Sequence, residues 1–260
     1  MPVPLRRWQV CAVWAGAIAL SILMTWPLAA RLGSVGRTAN SGDARFGVWN
    51  VTWVAHTLTT EPSRVFDANI FYPHSGTLAF SEANLGAGVV AVPVWWLTRN
   101  PFAAYNSVVL FAFATAFAAM WFLARHLSGN GGAATVAAVM FAFCPYLFSH
   151  TAHIQLLMAA GIPASLLALH RAVAAPSVAR GLVLGLAIAG QALFSAYYGV
   201  FAGLAVTLGV IYYSRFERRW RSPVYWLAMA IGAAVSLAIV QPFFMPYLAI
   251  QDATGFARSL

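Results

Sequence analysis

Long apolar runs separated by short polar turns organise this chain. The runs at 9–30, 102–124, 131–149, 154–172, 178–195, 197–214 and 223–243 approach or exceed the about 20 residues that cross a bilayer core of roughly 30 Å. The fifth and sixth are short and are joined by Ser195-Ala196-Tyr197, so they also read as one kinked hairpin. A further run, Leu85 to Leu97, has 13 residues and contains Pro93. At that length an interfacial or re-entrant helix is expected, not a span. From Ala44 to Leu58 apolar and polar positions alternate at mixed spacing, with Trp49, Trp53 and His56 on one helical face. That pattern predicts an amphipathic helix on the membrane surface, its tryptophans at headgroup level. Between the two short helices, Asp67 to His74 reads as extended, turned back by Pro73 and Gly76.

Composition sharpens the class. The chain is 61% hydrophobic and 8% charged over 260 residues, whereas a soluble domain carries roughly a quarter of its residues as Asp, Glu, Lys and Arg. An ordinary cytosolic enzyme, a disordered regulator and a nucleic-acid-binding domain are excluded. Cys11 and Cys144 both sit in apolar runs, which fits neither a disulfide framework nor a metal knuckle. The first run resembles a secretory signal, but its apolar stretch is longer than such signals carry and holds Trp8, Trp14 and Trp26. An uncleaved first helix is expected.

The net charge of +9 comes from 15 arginines, no lysine and 6 acids. Its distribution decides between topologies. If 85–97 does not cross, Arg125, Arg171, Arg180, Arg215, Arg218, Arg219 and Arg221 join Arg6 and Arg7 on one side, as the positive-inside rule requires. If it crosses, all seven move away from the N-terminus. The expectation is an all-α membrane protein of about seven spans with its N-terminus in the cytoplasm. One long external loop, about 31–101, would carry the two interfacial helices, in a single module over 1–260. The arginine-rich, lysine-free composition points to a bacterial inner membrane.

Five acids, Asp43, Glu61, Asp67, Glu82 and Asp252, fall on the external side, and only Glu217 on the internal one. Acids contribute little to orientation, so chemistry competes with simple solvation as the reason. Asn40-Ser41-Gly42-Asp43 is a good helix start, and Asp43 as a cap is the structural alternative. Ser149-His150-Thr151-Ala152-His153 places two histidines three apart, on one face if helical. Interfacial wetting accounts for them as readily as ligand binding does. Gly181, Gly185 and Gly190 point to close helix packing. Tyr197 and Tyr198 read as belt residues.

The stretches VFDANIFYPHSGTLAFSE, NPFAAYN, FAFCPYLFSHTAHIQLL, FSAYYGVFAG and QPFFMPYLAIQ, together with Gly42-Asp43 after the first span, resemble the GT-C superfamily. These integral-membrane glycosyltransferases, among them protein mannosyltransferases, lipid A aminoarabinose transferase and YfhO-like proteins, use polyprenyl-phosphate-linked sugars. The resemblance covers the whole chain and implies the N-terminal seven-helix module, without the family's C-terminal part. It implies that Asp43 is the catalytic carboxylate, with Glu82 or Asp67 as the second one. It also implies a donor phosphate held by Arg45, Arg64, His74, His150 or His153, an isoprenoid groove bordered by Val89 to Leu97, and a divalent cation, Mg²⁺ or Mn²⁺. The partners it implies are the lipid-linked donor, membrane lipids and a further chain supplying the missing helices. A lipid or small-solute transporter or flippase, and a non-catalytic membrane scaffold, are the competing readings. Few charged residues lie inside the spans and no repeat is evident, which argues against the transporter.

Overall fold

A computed structural model describes residues 5–34 and 41–255, except for the side chains of Ser41, Ala253 and Thr254. Asn40, in the expected helix start, and the last five residues lie outside the described set. The described chain is helical: α1 (Arg7–Met24), α2 (Ser41–Thr60), α3 (Leu85–Thr98), α4 (Pro101–Ser128), α5 (Gly131–Ala142), α6 (Pro145–Ser149), α7 (Ile154–Leu157), α8 (Gly161–Ala174), α9 (Val178–Phe194), α10 (Ala196–Phe216) and α11 (Pro223–Thr254). Six segments are long and apolar enough to cross a membrane: α1, α4, α5 with α6, α7 with α8, α10 and α11. The apolar α9, 17 residues long, is the expected seventh. This is an all-α, multi-pass membrane protein.

Local chemistry sets the helix ends. Asn100 and Asn130 accept hydrogen bonds from the N–H of Ala103 and Ala133 at 3.0 and 3.1 Å, satisfying orphan donors at the starts of α4 and α5. Ser195 and Ser222 do the same for α10 and α11. Pro101 and Pro223 occupy first turns, where the missing N–H costs nothing. Pro145 begins α6, and its bias against a preceding helical residue breaks the apolar run 131–149 at Phe143-Cys144. Gly129 closes α4 at φ +69°, a conformation glycine adopts without strain.

Successive spanning helices alternate in direction. Tyr213 on α10 meets His170 on α8, Arg180 on α9 reaches Arg171 on α8, and Val13 and Ala17 of α1 pack beside Ala118 and Trp121 of α4. Arg6, Arg7, Arg125, Arg171, Arg180, Arg215, Arg218, Arg219 and Arg221 therefore gather at one end of the bundle. The described residues of the loop 31–101 occupy the other. Outward faces carry exposed Ile18, Leu23, Met140, Val183, Leu204 and Leu237, the surface a bilayer would cover.

The loop is a folded cap held between two overlong helices. At about 1.5 Å per residue, α4 and α11, of 28 and 32 residues, measure roughly 42 and 48 Å. Both exceed the hydrocarbon thickness. Fully buried Val51 and Ala55 of α2 and Ala87 and Ala91 of α3 pack on Ala104, Tyr105 and Val108 near the start of α4. The far end of α11 sends Tyr247 to Ala83 N–H, its hydroxyl accepting at 2.9 Å.

Two expectations about the loop change. The tryptophans face the protein: Trp49 Nε1–H donates to Asn69 Oδ1 at 3.1 Å and Trp53 Nε1–H to Val65 O at 2.9 Å. They pack against Val65 and Ala68, because the stretch after α2 offers a second apolar surface. The stretch Asp67 to His74 is turn-rich instead of extended. Asp67 Oδ1 accepts from Gly76 N–H at 2.9 Å, and Leu78 N–H bonds Phe66 O at 3.0 Å, so side-chain and main-chain bonds fold it back on itself.

Candidate functional site

The site grows from a break in the helical run that follows α5. Starting at Pro145, the five residues of α6 end at Ser149, just before His150, and α7 begins after His153. The two histidines thus sit in the gap between short helices and not on one helical face. Their rings still lie close, 6.1 Å between centroids. Tyr105 pins this gap to α4: its buried hydroxyl donates to Thr151 O at 3.1 Å.

Helix α2 lies directly on the gap. Gly47 permits this, since a Cβ there would stand 3.3 Å from both Ala152 O and the Tyr105 ring. Asp43 is one turn earlier on the same face. Its carboxylate Oδ2 lies 3.2 Å from His153 Nε2, with both side chains about half exposed. That distance is a hydrogen bond with a neutral imidazole and an ion pair with a protonated one. Asp43 is the third residue of α2, so its charge also meets the positive end of the helix dipole. The residue joins α2 to the gap, in addition to any part it plays at the helix start.

Beyond His153 the polar side chains continue. His150 Nδ1 lies 2.8 Å from Tyr146 O, which makes Nδ1 the protonated nitrogen of the neutral ring. The Tyr146 and His150 rings are 4.2 Å apart. Tyr146 OH lies 3.4 Å from Tyr198 OH, and Tyr198 donates to Leu156 O at 3.1 Å. Asp43, His153, His150, Tyr146 and Tyr198 form one run of neighbours at the loop end of the bundle. Such a run offers a carboxylate near a hydroxyl, that of Tyr146, able to meet an anion.

The other expected residues go elsewhere. Asp67 shapes its own loop through Gly76. Arg64 is paired with Glu61 at 3.0 Å on the exposed surface. Arg45 is exposed on α2, and His74 stands beside Phe80 in the loop, 6.2 Å between ring centroids. None of these is brought to the Asp43–His153 contact by a bond within the described residues. Val89, Trp96 and Leu97 are exposed on α3 and line neither the groove beneath Glu82 nor the trough beside α8.

Glu82 forms a second polar centre. Its carboxylate accepts from Ala196 N–H at the start of α10, tying the loop to the α9–α10 elbow. Its main-chain oxygen accepts from Asn50 Nδ2 at 3.1 Å, two helical turns along α2 from Asp43, or roughly 10 Å. Glu82 and Asp43 therefore belong to separate hydrogen-bonded groups and do not form a carboxylate pair. Burial raises the Glu82 pKa above its ordinary 4.5, while hydrogen bonds from Ala196 and Ser195 oppose the rise. Below Glu82 an apolar groove of about 360 Å³ runs between α9, α10 and α11, past Ala192, Gly199 and Val240 to Tyr247.

The raised pKa has a consequence for stability. Between 4.5 and the raised value the folded chain binds more protons than the unfolded one, so this group's contribution falls as pH rises through that window. The melting temperature of the detergent-solubilised protein should carry a component that rises on acidification toward pH 5. Glu82→Gln, which stays neutral and still accepts from Ala196, should remove that component. An unchanged pH profile in the variant would rule Glu82 out as its source.

Among the described residues, no group of three or more His, Cys, Asp and Glu side chains is arranged to hold a metal ion. Asp43 with His153 offers one carboxylate and one imidazole, fewer protein ligands than a closed metal site supplies.

Gly47, Tyr105 and Tyr146 contribute to the site without having been expected. Gly47 is a lone glycine in a helical pattern, a signal of close approach. Tyr146 follows the helix-breaking Cys144-Pro145, and that break is what turns it toward His150. Gly47→Leu should lift α2 off the gap and separate Asp43 from His153. Loss of the Asp43-dependent function, with α2 still helical by hydrogen exchange, is the expected result; full function would show that the approach is dispensable.

The comparisons with known proteins give no further guide: no family model, curated protein or solved structure matches the chain.

Proposed function

We propose that the chain is a membrane glycosyltransferase module that moves a sugar from a polyprenyl-phosphate-linked donor to an acceptor on the extracytoplasmic side. The observation that carries the reading is the Asp43–His153 contact, at 3.2 Å, on the end of the bundle opposite Arg6, Arg7, Arg125, Arg171, Arg180 and the arginines of 215–221. Basic residues favour the cytoplasmic side, so the loop end and Asp43 face outward in this reading. Asp43 takes the proton from an acceptor hydroxyl. The hydroxyl oxygen then bonds the anomeric carbon as the bond from that carbon to the phosphate oxygen breaks. Polyprenyl phosphate leaves with the electron pair. His153 orients Asp43, and the exposed Tyr146 hydroxyl offers a donor to the phosphate. The groove beneath Glu82 gives the isoprenoid chain an apolar path at the same end.

The test is glycan and glycolipid analysis of the envelope of a strain lacking the gene, before and after complementation. The expected result is loss of one glycosylated product, with its unglycosylated acceptor accumulating, restored by the wild-type chain. Membranes containing the chain should also release polyprenyl phosphate from one member of a panel of polyprenyl-phosphate sugars. An unchanged glycan profile with no donor turnover would reject the proposal and leave the transporter and scaffold readings.

A further inference from the structure

A second, larger cavity lies on the other side of α9. It is a trough of about 780 Å³ between α4, α8 and α9, open along its length. Its α4 wall is the stripe Phe111, Thr115, Ala119 and Phe122, spaced by one turn each. Small residues set the other walls back: Gly161 and Ala164 on α8, Gly190 on α9. A Cβ at Gly190 would meet nothing within 4 Å, so the space there is unfilled. From Gly161 to Arg171 the α8 wall rises roughly 15 Å, about one leaflet of a bilayer core.

One end of the trough is cationic. Arg171 and Arg180 line it there, and Arg180 is fixed in place by donating Nη1–H bonds to Arg171 O at 2.8 Å and Ala175 O at 2.7 Å. No described carboxylate lies within ion-pair distance of either guanidinium. His126 and His170 stand at the same end, 6.0 Å between ring centroids. Topology alone does not demand this arrangement. Arg219 at that end has Glu217 at 3.8 Å, and Arg221 lies over the Trp220 ring at 4.8 Å. Arg171 and Arg180 are instead built into the wall of an apolar trough without a countercharge. The Thr115 hydroxyl is satisfied internally by Phe111 O at 2.7 Å, so the α4 wall asks for nothing polar.

We propose that this trough binds an anionic glycerophospholipid, its phosphate held by Arg171 and Arg180 and one acyl chain lying between α4, α8 and α9. Charge complementarity selects the headgroup: guanidinium pairs with phosphate through short, charge-assisted hydrogen bonds. The apolar walls take the chain. The site is independent of the transferase reading, and its cationic end lies at the opposite end of the bundle from Asp43.

The experiment uses the full chain, purified in detergent and depleted of lipid. Phosphatidylglycerol and phosphatidylcholine of equal chain length are offered together, and retained lipid is counted by native mass spectrometry. Retention of phosphatidylglycerol about tenfold over phosphatidylcholine is expected. Arg171→Gln should erase the preference; its side chain, unlike that of Arg180, holds no helix end. Gly190→Leu, which places a side chain into the empty space, should lower phosphatidylglycerol retention to the same degree. Arg218→Gln with Arg219→Gln should leave it unchanged. Equal retention of both lipids would overturn the proposal, as would retention indifferent to Gly190→Leu, which would show surface charge alone. Displacement by inorganic phosphate, or by polyprenyl phosphate in preference to phosphatidylglycerol, would also overturn it.

Discussion

Asp43→Asn is expected to lower the proposed sugar transfer by roughly 10²- to 10⁴-fold, the range a lost general base commands. The substitution isolates chemistry from packing. Asparagine is nearly isosteric and keeps a side-chain oxygen that accepts from His153 Nε2–H, so the contact at 3.2 Å has a neutral substitute. What is lost is the capacity to take a proton. The competing account assigns Asp43 to the start of α2 only. Exchange at such a position changes stability by about 0.3–1 kcal/mol and leaves chemistry untouched. Two variants therefore divide the accounts. Under the transferase reading Asp43→Asn and Asp43→Ser both lose transfer while insertion and melting temperature hold. Under the helix-start reading both retain it. His153→Gln gives an intermediate result in the first case, because a positioned carboxylate becomes a loosely held one. The measurement is turnover of the polyprenyl-phosphate sugar by membranes of matched protein content, alongside restoration of the glycan profile. Full turnover by Asp43→Asn would end the assignment.

The helical skeleton was legible because each span carries its own signal. An apolar run of sufficient length, an Asn or Ser at its start and arginines at one of its ends specify α4, α10 and α11 without reference to any partner. The placement of Asp43 was legible for the same reason: it follows the first span and precedes an amphipathic pattern. What lay beyond the sequence depended on encounters between distant segments. Trp49 and Trp53 carry the pattern of membrane-surface residues, yet they are claimed by Asn69 and Val65 in a loop that forms its own small core. Glu82 and Asp67 looked equivalent as partners for Asp43. Hydrogen bonds to Ala196 in one case and Gly76 in the other took them to separate tasks, and no local pattern records that. The pairing of Asp43 with His153 was foreshadowed only as two candidates on the same side. It required Gly47 to let α2 settle on the gap, and Pro145 to open that gap.

Enlarging Gly181 or Gly185 is expected to produce the largest loss of stability in the membrane-embedded part. The two are four apart on α9, and small residues at that spacing let helices approach closely in lipid. They do so against α11, which runs parallel to α9. A Cβ on Gly181 would come 2.5 Å from Ala228 O, and one on Gly185 would come 2.6 Å from Gly232 O and 2.8 Å from Val235 Cβ. These obstacles are largely backbone, so no rotamer change relieves them. Two effects oppose each other in Gly→Ala. Helix propensity favours alanine by about 1 kcal/mol, while overpacking costs about 1–3 kcal/mol. With backbone as the obstacle, overpacking prevails. Gly185→Ala should lower the melting temperature, and Gly181→Leu with Gly185→Leu should separate the two helices. Gly16 and Gly190 supply the control, since a Cβ at either meets nothing within 4 Å; alanine there should be neutral or stabilising. The damage should also travel. The far end of α11 carries Tyr247, which holds Ala83 next to Glu82. Hydrogen exchange should therefore rise around 76–84 in the leucine variants, although those residues lie at the opposite end of the bundle from Gly181. Exchange confined to α9 and α11 would mean that the loop cap stands on α4 alone.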